Sequence, residues 1–307
     1  PQNIQLRKRL AYAYKRQGKI DKETIEYERL MDLAPEDITL LNDLAKIYKE
    51  QDRFVDQILV LEKILNIDQN NEIAQSELAI AYESSGRDPL DVYQKRYDDN
   101  PDNISYGLDY ADRLIKANRG NDAIVVLDRV ISKDSSGKLA YRKLAEASIL
   151  IDDLENAAKS YELLFKIDPR DGKVAILISN LYIDLQEFGK GLRWADKAIS
   201  LMSNNGDGYG QKGKVYYIGW DTFRQNPFST DDRIVAKLAY DYFIKAESEG
   251  YQGYNKRNWL EENAKDVLYG KAQWFMADDK VKRSRGLRPS SPVYDWVTDV
   301  LKPENSW

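Results

Sequence analysis

One register governs this chain. Leu10-Ala11, Leu44-Ala45 and Leu78-Ala79 stand 34 residues apart, and Tyr14, Tyr48 and Tyr82 keep the same interval, each three residues after its alanine. The next small residue, Ala111, comes 32 later, and Ala145, Ser179 and Gly213 then resume steps of 34. Pro35, Pro101 and Pro169 punctuate the chain at separations of 66 and 68, sums of the same two steps. A fixed period of this size is the signature of stacked supersecondary units, each covering an apolar face that its neighbour leaves open.

Within one period the apolar spacing is helical. Ile4, Leu6, Leu10 and Tyr14 fall on one helical face, and Gly18 is a stop signal. A second run follows, with Asp21 as its cap and Pro35 as its terminator. The same two-helix pattern returns over 40–53 and 54–68, and again over 140–153 and 154–169. Small residues such as Ala45 sit where two helices cross closely, and a larger side chain there costs ~1–3 kcal/mol by overpacking. Tyr48 and Tyr161 are expected to fill the gaps between neighbouring helices.

These residues resemble the tetratricopeptide repeat, a 34-residue pair of antiparallel helices with Leu-Gly/Ala, Tyr, Ala, Tyr/Phe, Ala and Pro at set positions. Leu144, Ala145, Ala157, Tyr161 and Pro169 match in the fifth unit, and Leu10, Ala11, Tyr14, Gly18, Tyr27 and Pro35 in the first, where Glu23 stands in place of the usual Ala. The seventh keeps Gly213, Ala239, Phe243 and Ala246. The resemblance covers roughly residues 4–250. It implies an all-α chain, an α-solenoid (right-handed superhelix) of about seven helix pairs with a C-terminal capping helix and tail. The expected parts are an array over 1–250 with an insertion at about 219–232, a capping helix over 251–276, and a tail over 277–307.

Composition removes most chemistry. With no Cys and no His, the chain has no disulfide, thiol nucleophile, imidazole base, Ser-His-Asp triad or usual zinc ligand set. Carboxylate-only catalysis remains formally open. However, the pairs Asp98-Asp99, Asp152-Asp153, Asp231-Asp232 and Asp278-Asp279 fall at turns and helix starts, where Asp serves as a cap. The reading is therefore non-enzymatic, with no cofactor and no metal. A net charge of −5 opposes a general affinity for nucleic acid, and no run of about eighteen uncharged apolar residues offers a membrane span. Because the chain opens at Pro1 with no signal-peptide pattern, a processed or trimmed product is expected.

Three stretches depart from the period. The third unit loses two residues around Pro89, which is expected to open a shortened helix. The insertion near 219–232 carries Trp220, Phe223 and Phe228, rings that are costly to leave in water. They either fold back on units six and seven or form a partner-contacting loop. The expected capping helix directs Trp259, Leu260, Val267, Leu268 and Phe275 inward. After it, Lys280, Lys282, Arg283, Arg285 and Arg288 form a basic run, read as a solvated loop in preference to a phosphate site. Residues 291–301 are read as a short last helix anchored by Tyr294, Trp296, Val297 and Val300.

The resemblance implies a concave groove lined by the first helix of each pair. One residue beyond the packing stripe is a rotation of about 100°, which defines the lining. Units one and two offer Lys8, Tyr12, Lys15, Asn42, Lys46 and Lys49, a basic and polar mouth. Units three and four offer Ile73, Ile80, Leu108 and Ile115, with Asp112 among them. Units five and six offer Leu139, Arg142, Glu146, Ile149, Ile176, Asn180 and Ile183, and the seventh adds Lys214 and Tyr217. An exposed apolar strip of this kind marks a partner site, unless neighbouring helices or the tail cover it. The function read from it is a protein–protein interaction scaffold that takes a peptide or helical segment, apolar toward units three to six and acidic toward the mouth. The alternatives are a self-assembling structural subunit of a larger, cell-envelope-type complex and, behind it, an RNA-binding helical repeat. The clamp by which some tetratricopeptide proteins hold acidic chaperone tails is incomplete, because Tyr12 stands where it wants Asn and Ile73 and Ser76 replace its later cations.

Overall fold

The computed structural model describes residues 3–202, 205–284, 286–305 and 307. The chain divides into two compact units, Pro1–Ala117 and Asn118–Trp307, with the boundary inside the fourth helix pair. Among the described residues, everything regular is helical except one isolated bridge, Leu287 with Leu301.

The first unit contains α1 (Ile4–Arg16), α2 (Ile20–Leu33), α3 (Ile38–Glu50), α4 (Phe54–Ile67), α5 (Glu72–Ser84), α6 (Leu90–Asp99) and α7 (Ile104–Lys116), each packed on its chain neighbour. A polar residue starts every first helix. Asn3, Asp37, Asn71 and Asn103 each accept a backbone N–H bond two or three residues on, satisfying donors that a helix start leaves unpaired. The turn inside each pair needs one residue in the left-handed region: Gly18 at φ 65°, Asp52 at 55° and Gly86 at 75°. Asp21 lies inside the first turn of α2 and is not its cap; Lys19 holds that position with no side-chain bond. The core gathers Leu41, Leu44, Ala45, Ile58, Leu61, Ile64 and Leu78. Between pairs, Tyr48 donates to Glu28 at 2.8 Å and Tyr82 to Glu62 at 3.0 Å. Pro89 stands just before α6, a helix of 10 residues where α4 has 14. A hollow of about 330 Å³ lies beside Glu62, Leu65, Tyr82, Val92 and Lys95.

The second unit continues with α8 (Gly120–Lys133), α9 (Lys138–Leu150), α10 (Leu154–Ile167), α11 (Gly172–Asp184), α12 (Phe188–Leu201), α13 (Asp207–Phe223) and α14 (Thr230–Ser248). Its left-handed residues, Asn118, Asp152 and Gln186, keep the same steps. One core lies around Ala145, Tyr161, Leu164, Ile178 and Tyr182; a second joins Phe188, Leu192, Val215, Tyr216, Trp220 and Phe243 to the C-terminal residues Leu260, Val267, Tyr294 and Leu301. All six tryptophans, Trp194, Trp220, Trp259, Trp274, Trp296 and Trp307, belong to this unit.

The C-terminal quarter departs from expectation in three places. Much of the predicted insertion is helix, because α13 runs on to Phe223, leaving 224–229 as the connection. Ser229 and Asp232 then close a reciprocal capping box on α14. In place of one capping helix, residues 257–276 form three short ones, α15 (Arg257–Glu262), α16 (Ala264–Val267) and α17 (Lys271–Met276). Leu260, Val267 and Leu268 point inward as expected, whereas Trp259 is partly exposed and Phe275 is 79% exposed. The last predicted helix is a single 3₁₀ turn, Pro292–Tyr294. Tyr294 and Val297 are buried there, Trp296 is half-buried and Val300 is exposed. In the basic run, α18 (Asp279–Ser284) carries Lys282, whose ammonium donates to the Phe275 carbonyl at 2.9 Å, while Arg283 and Arg288 are exposed. Arg285 and the side chain of Lys280 lie outside the described residues.

Candidate partner-binding surface

Burial separates packing from lining. The small residues of the register, Ala11, Ala45, Ala79, Ala111, Ala145, Ser179 and Gly213, are all buried. Their neighbours one position on form the first-helix stripe. In the first unit, α1 presents Tyr12 exposed, Lys8 3.6 Å from Asp37 and Lys15 3.9 Å from Glu23. Next, α3 presents Asn42, Lys46 and Lys49, and α5 presents Ile73, at 73% exposure, and Ile80, at 45%. These two helices frame an open hollow of about 590 Å³, lined by Asn42, Ala45, Lys46, Lys49, Leu61, Ile73 and Glu77. Lys49 closes a two-pronged ion pair on Glu77, at 2.7 and 3.0 Å. On α7, Leu108 and Ile115 are half-buried, and Asp112 pairs with Lys116 at 2.7 Å.

In the second unit, α9 presents Leu139 and Ile149 exposed, Glu146 exposed, and Arg142 within 3.8 Å of Asp171. On α11, Ile176 is half-buried, and Asn180 accepts hydrogen bonds from Lys214 at 2.7 Å and Gln211 at 3.1 Å. Ile183 is a correction. At 4% exposure it belongs to the core with Phe188 and Val215, and presents no surface to a partner. On α13, Tyr217 is buried against Tyr254 and Trp259, at centroid separations of 6.3 and 6.4 Å. The segment after α14 therefore covers the stripe at this end. Burial, then the nearby Tyr217 and Asp221, pushes the Tyr254 phenol up to about 12, so it stays neutral.

The loop aromatics are also corrected. Trp220 is 0% exposed, packed among the tilted rings of Tyr217, Phe228 and Trp259, and Phe223 meets Phe188 edge-on at 5.6 Å. Phe223 and Phe228 are half-buried against the same core. These rings fold back on the last pairs, the first of the two readings, and Trp220 presents no surface to a partner.

Helix length, buried small residues, left-handed turns and helix starts all recur at the steps read from the sequence. The structure is an array of helix pairs at that period, the arrangement that the resemblance to the tetratricopeptide repeat implies. Similar solved structures include MamA (19% identity over 61% of this chain and 97% of that one, TM-score 0.46) and a tetratricopeptide repeat protein from Parabacteroides merdae ATCC 43184 (16%, 86% and 98%, TM-score 0.43). A third is YrrB, described as a TPR protein with an unusual peptide-binding site (15%, 59% and 95%, TM-score 0.46). All three scores lie below 0.5, and the helix-pair architecture rests on this chain's own helices. No protein-family model matches the chain, and no curated protein matches it.

Against the tetratricopeptide pattern, one lining residue went unread. Glu77 stands four after Ile73 and three before Ile80, so helical spacing alone places it on the same stripe. Among the described residues, no group of three or more Asp or Glu is set to hold a metal ion, and no helix is long and apolar enough to cross a membrane.

Proposed function

We propose that this protein is a non-catalytic docking scaffold that holds a peptide segment of another protein against the first-helix stripe of the first unit. The observation that carries the reading is exposed Ile73 beside Asn42, Lys46 and Lys49 on an open hollow of about 590 Å³, with Ile80 exposed two turns further along the same helix. Isoleucines this exposed expose apolar area that a partner's side chain would remove from water, at about 25 cal/mol per Å². Of the two lysines, Lys49 is paired with Glu77, so Lys46 is the one that favours a carboxylate on the segment, against Asp43 and Glu50 of the same lining. Arg142, Ile149, Ile176 and Asn180 offer a second stretch of similar chemistry on the other unit.

The test is selection of twelve-residue peptides from a displayed library, on the parent chain and on the variant Ile73→Glu/Ile80→Glu. Peptides with apolar and acidic residues should be enriched on the parent and lost at least tenfold on the variant, with helicity at 222 nm unchanged because both side chains face solvent. Equal enrichment on both chains, or none on either, rejects the reading.

A further inference from the structure

Residues 287–305 lie in a slot built by α12, α13 and α14. Tyr294, Val297 and Leu301 are buried in it, and Trp296 lies half-buried with its ring 5.2 Å from Phe188 and 5.8 Å from Tyr216. Glycine makes that room, since a β-carbon on Gly219 would stand 2.5 Å from the indole. Two cations line the walls, Lys212 at 4% exposure and Lys237 at 7%. Lys212 holds Asp299 at 2.8 Å, and Lys237 holds Glu304 at 2.8 Å. Each lysine also keeps a carboxylate that does not come from the segment: Asp196 at 2.6 Å for Lys212, and Asp241 at 2.5 Å for Lys237. Lifting the segment out would leave neither ammonium as an unpaired buried charge, the outcome that normally forbids such an opening. Shallow surface hollows flank the segment, one of about 320 Å³ beside Trp296, Glu187 and Arg193 and one of about 430 Å³ beside Asp299, Asp241 and Lys245.

We propose that this slot is a second peptide-docking site, held shut by the chain's own C-terminal segment. It accepts a partner segment with an aromatic anchor followed by carboxylates three and eight residues on, the spacing of Trp296, Asp299 and Glu304. The resident segment acts as an intramolecular competitor. A partner meets only the fraction of molecules whose slot is open, so its apparent affinity rises in proportion as the resident segment is weakened. This site is independent of the first-helix stripe and stands or falls without it.

The probe is a fluorescent peptide of this chain's residues 289–305, titrated with the full chain and with the full-length variant Trp296→Ala/Val297→Ser, whose slot is unaltered. Binding should be at least tenfold tighter to the variant, with helicity at 222 nm retained. A peptide carrying Asp299→Asn and Glu304→Gln should bind at least tenfold more weakly. Equal binding by both chains, no binding to the variant, or indifference to the two carboxylates overturns the proposal. Loss of helicity in the variant also overturns it, because the segment would then be an inseparable part of the core. On the unaltered chain, the amides of Leu287, Val297 and Leu301 should exchange at least a hundredfold faster than those of Val215 and Tyr216; equal protection rejects the independent opening the proposal requires.

Discussion

Glu23 occupies a position that Ala123, Ala157 and Gly191 fill in later pairs, and it is buried. Burial pushes its carboxyl up; Lys15 opposes this, and Glu50 and Asp43 add to it. A carboxylate with a raised folded value costs stability once it must ionise. The cost is absent below the unfolded value of about 4.3, grows as pH rises through the folded value, and is constant above it. Glu23→Ala should therefore stabilise the first unit by about 0.5–2 kcal/mol at neutral pH, with the gain vanishing below about pH 4, as read by urea unfolding at 222 nm. The left-handed turns offer a second test. Gln186 holds φ 57°, which costs an L-residue roughly 1–2 kcal/mol. Glycine relieves that at an entropic cost of about 0.5–1, so Gln186→Gly should gain about 0.5–1 kcal/mol by the same measurement.

Helices with the strongest period were readable because each position has one physical job: a small residue at the crossing, an aromatic in the gap, a polar cap at the start. The series Asn3, Asp37, Asn71, Asn103 keeps the same steps as the alanines, so the first-helix starts could have been taken from it directly. The 251–276 stretch defeated that logic. Leu260, Val267 and Leu268 fit a helical face, but the Tyr269 N–H bonds to the Arg233 carbonyl at 3.1 Å and Gly270 restarts the chain, so tertiary anchoring breaks the run. The stripe faces solvent at Ile73 and Ile80. Its reading failed at Ile183, whose helix end meets Phe188 and Val215, because a rotation angle says nothing of what the next element covers. The contrast is measurable. Ile183→Glu buries a charge without a built partner and should cost about 3 kcal/mol or more in the second unit, whereas Ile73→Glu should leave the melting curve within about 0.5 kcal/mol of the parent.

At the scale of the molecule, the C-terminal segment ties to the rest of the second unit through buried Leu287, Tyr294, Val297 and Leu301 and through carboxylates. Burial alone would raise Asp299, but hydrogen bonds from Lys212 and Tyr242 overcome it and hold the carboxyl below its usual value. A depressed carboxylate contributes stability that is complete above the unfolded value of about 3.9 and lost as pH falls through the folded one. Asp232, bonded by Tyr294 and Ser229 and also held low, behaves the same way. Acidification below about pH 4 should therefore loosen the segment first, seen as loss of the near-ultraviolet circular dichroism of its rings before helicity falls. Asp299→Asn should move that loss toward neutral pH.

The placement of every indole beyond residue 118 has a practical corollary for anyone who melts this protein. Emission excited at the red edge hears only the second unit, while the peptide-bond signal sums both. If the two units open separately, the optical traces will not superimpose, and the gap between them is the silent half coming apart unseen.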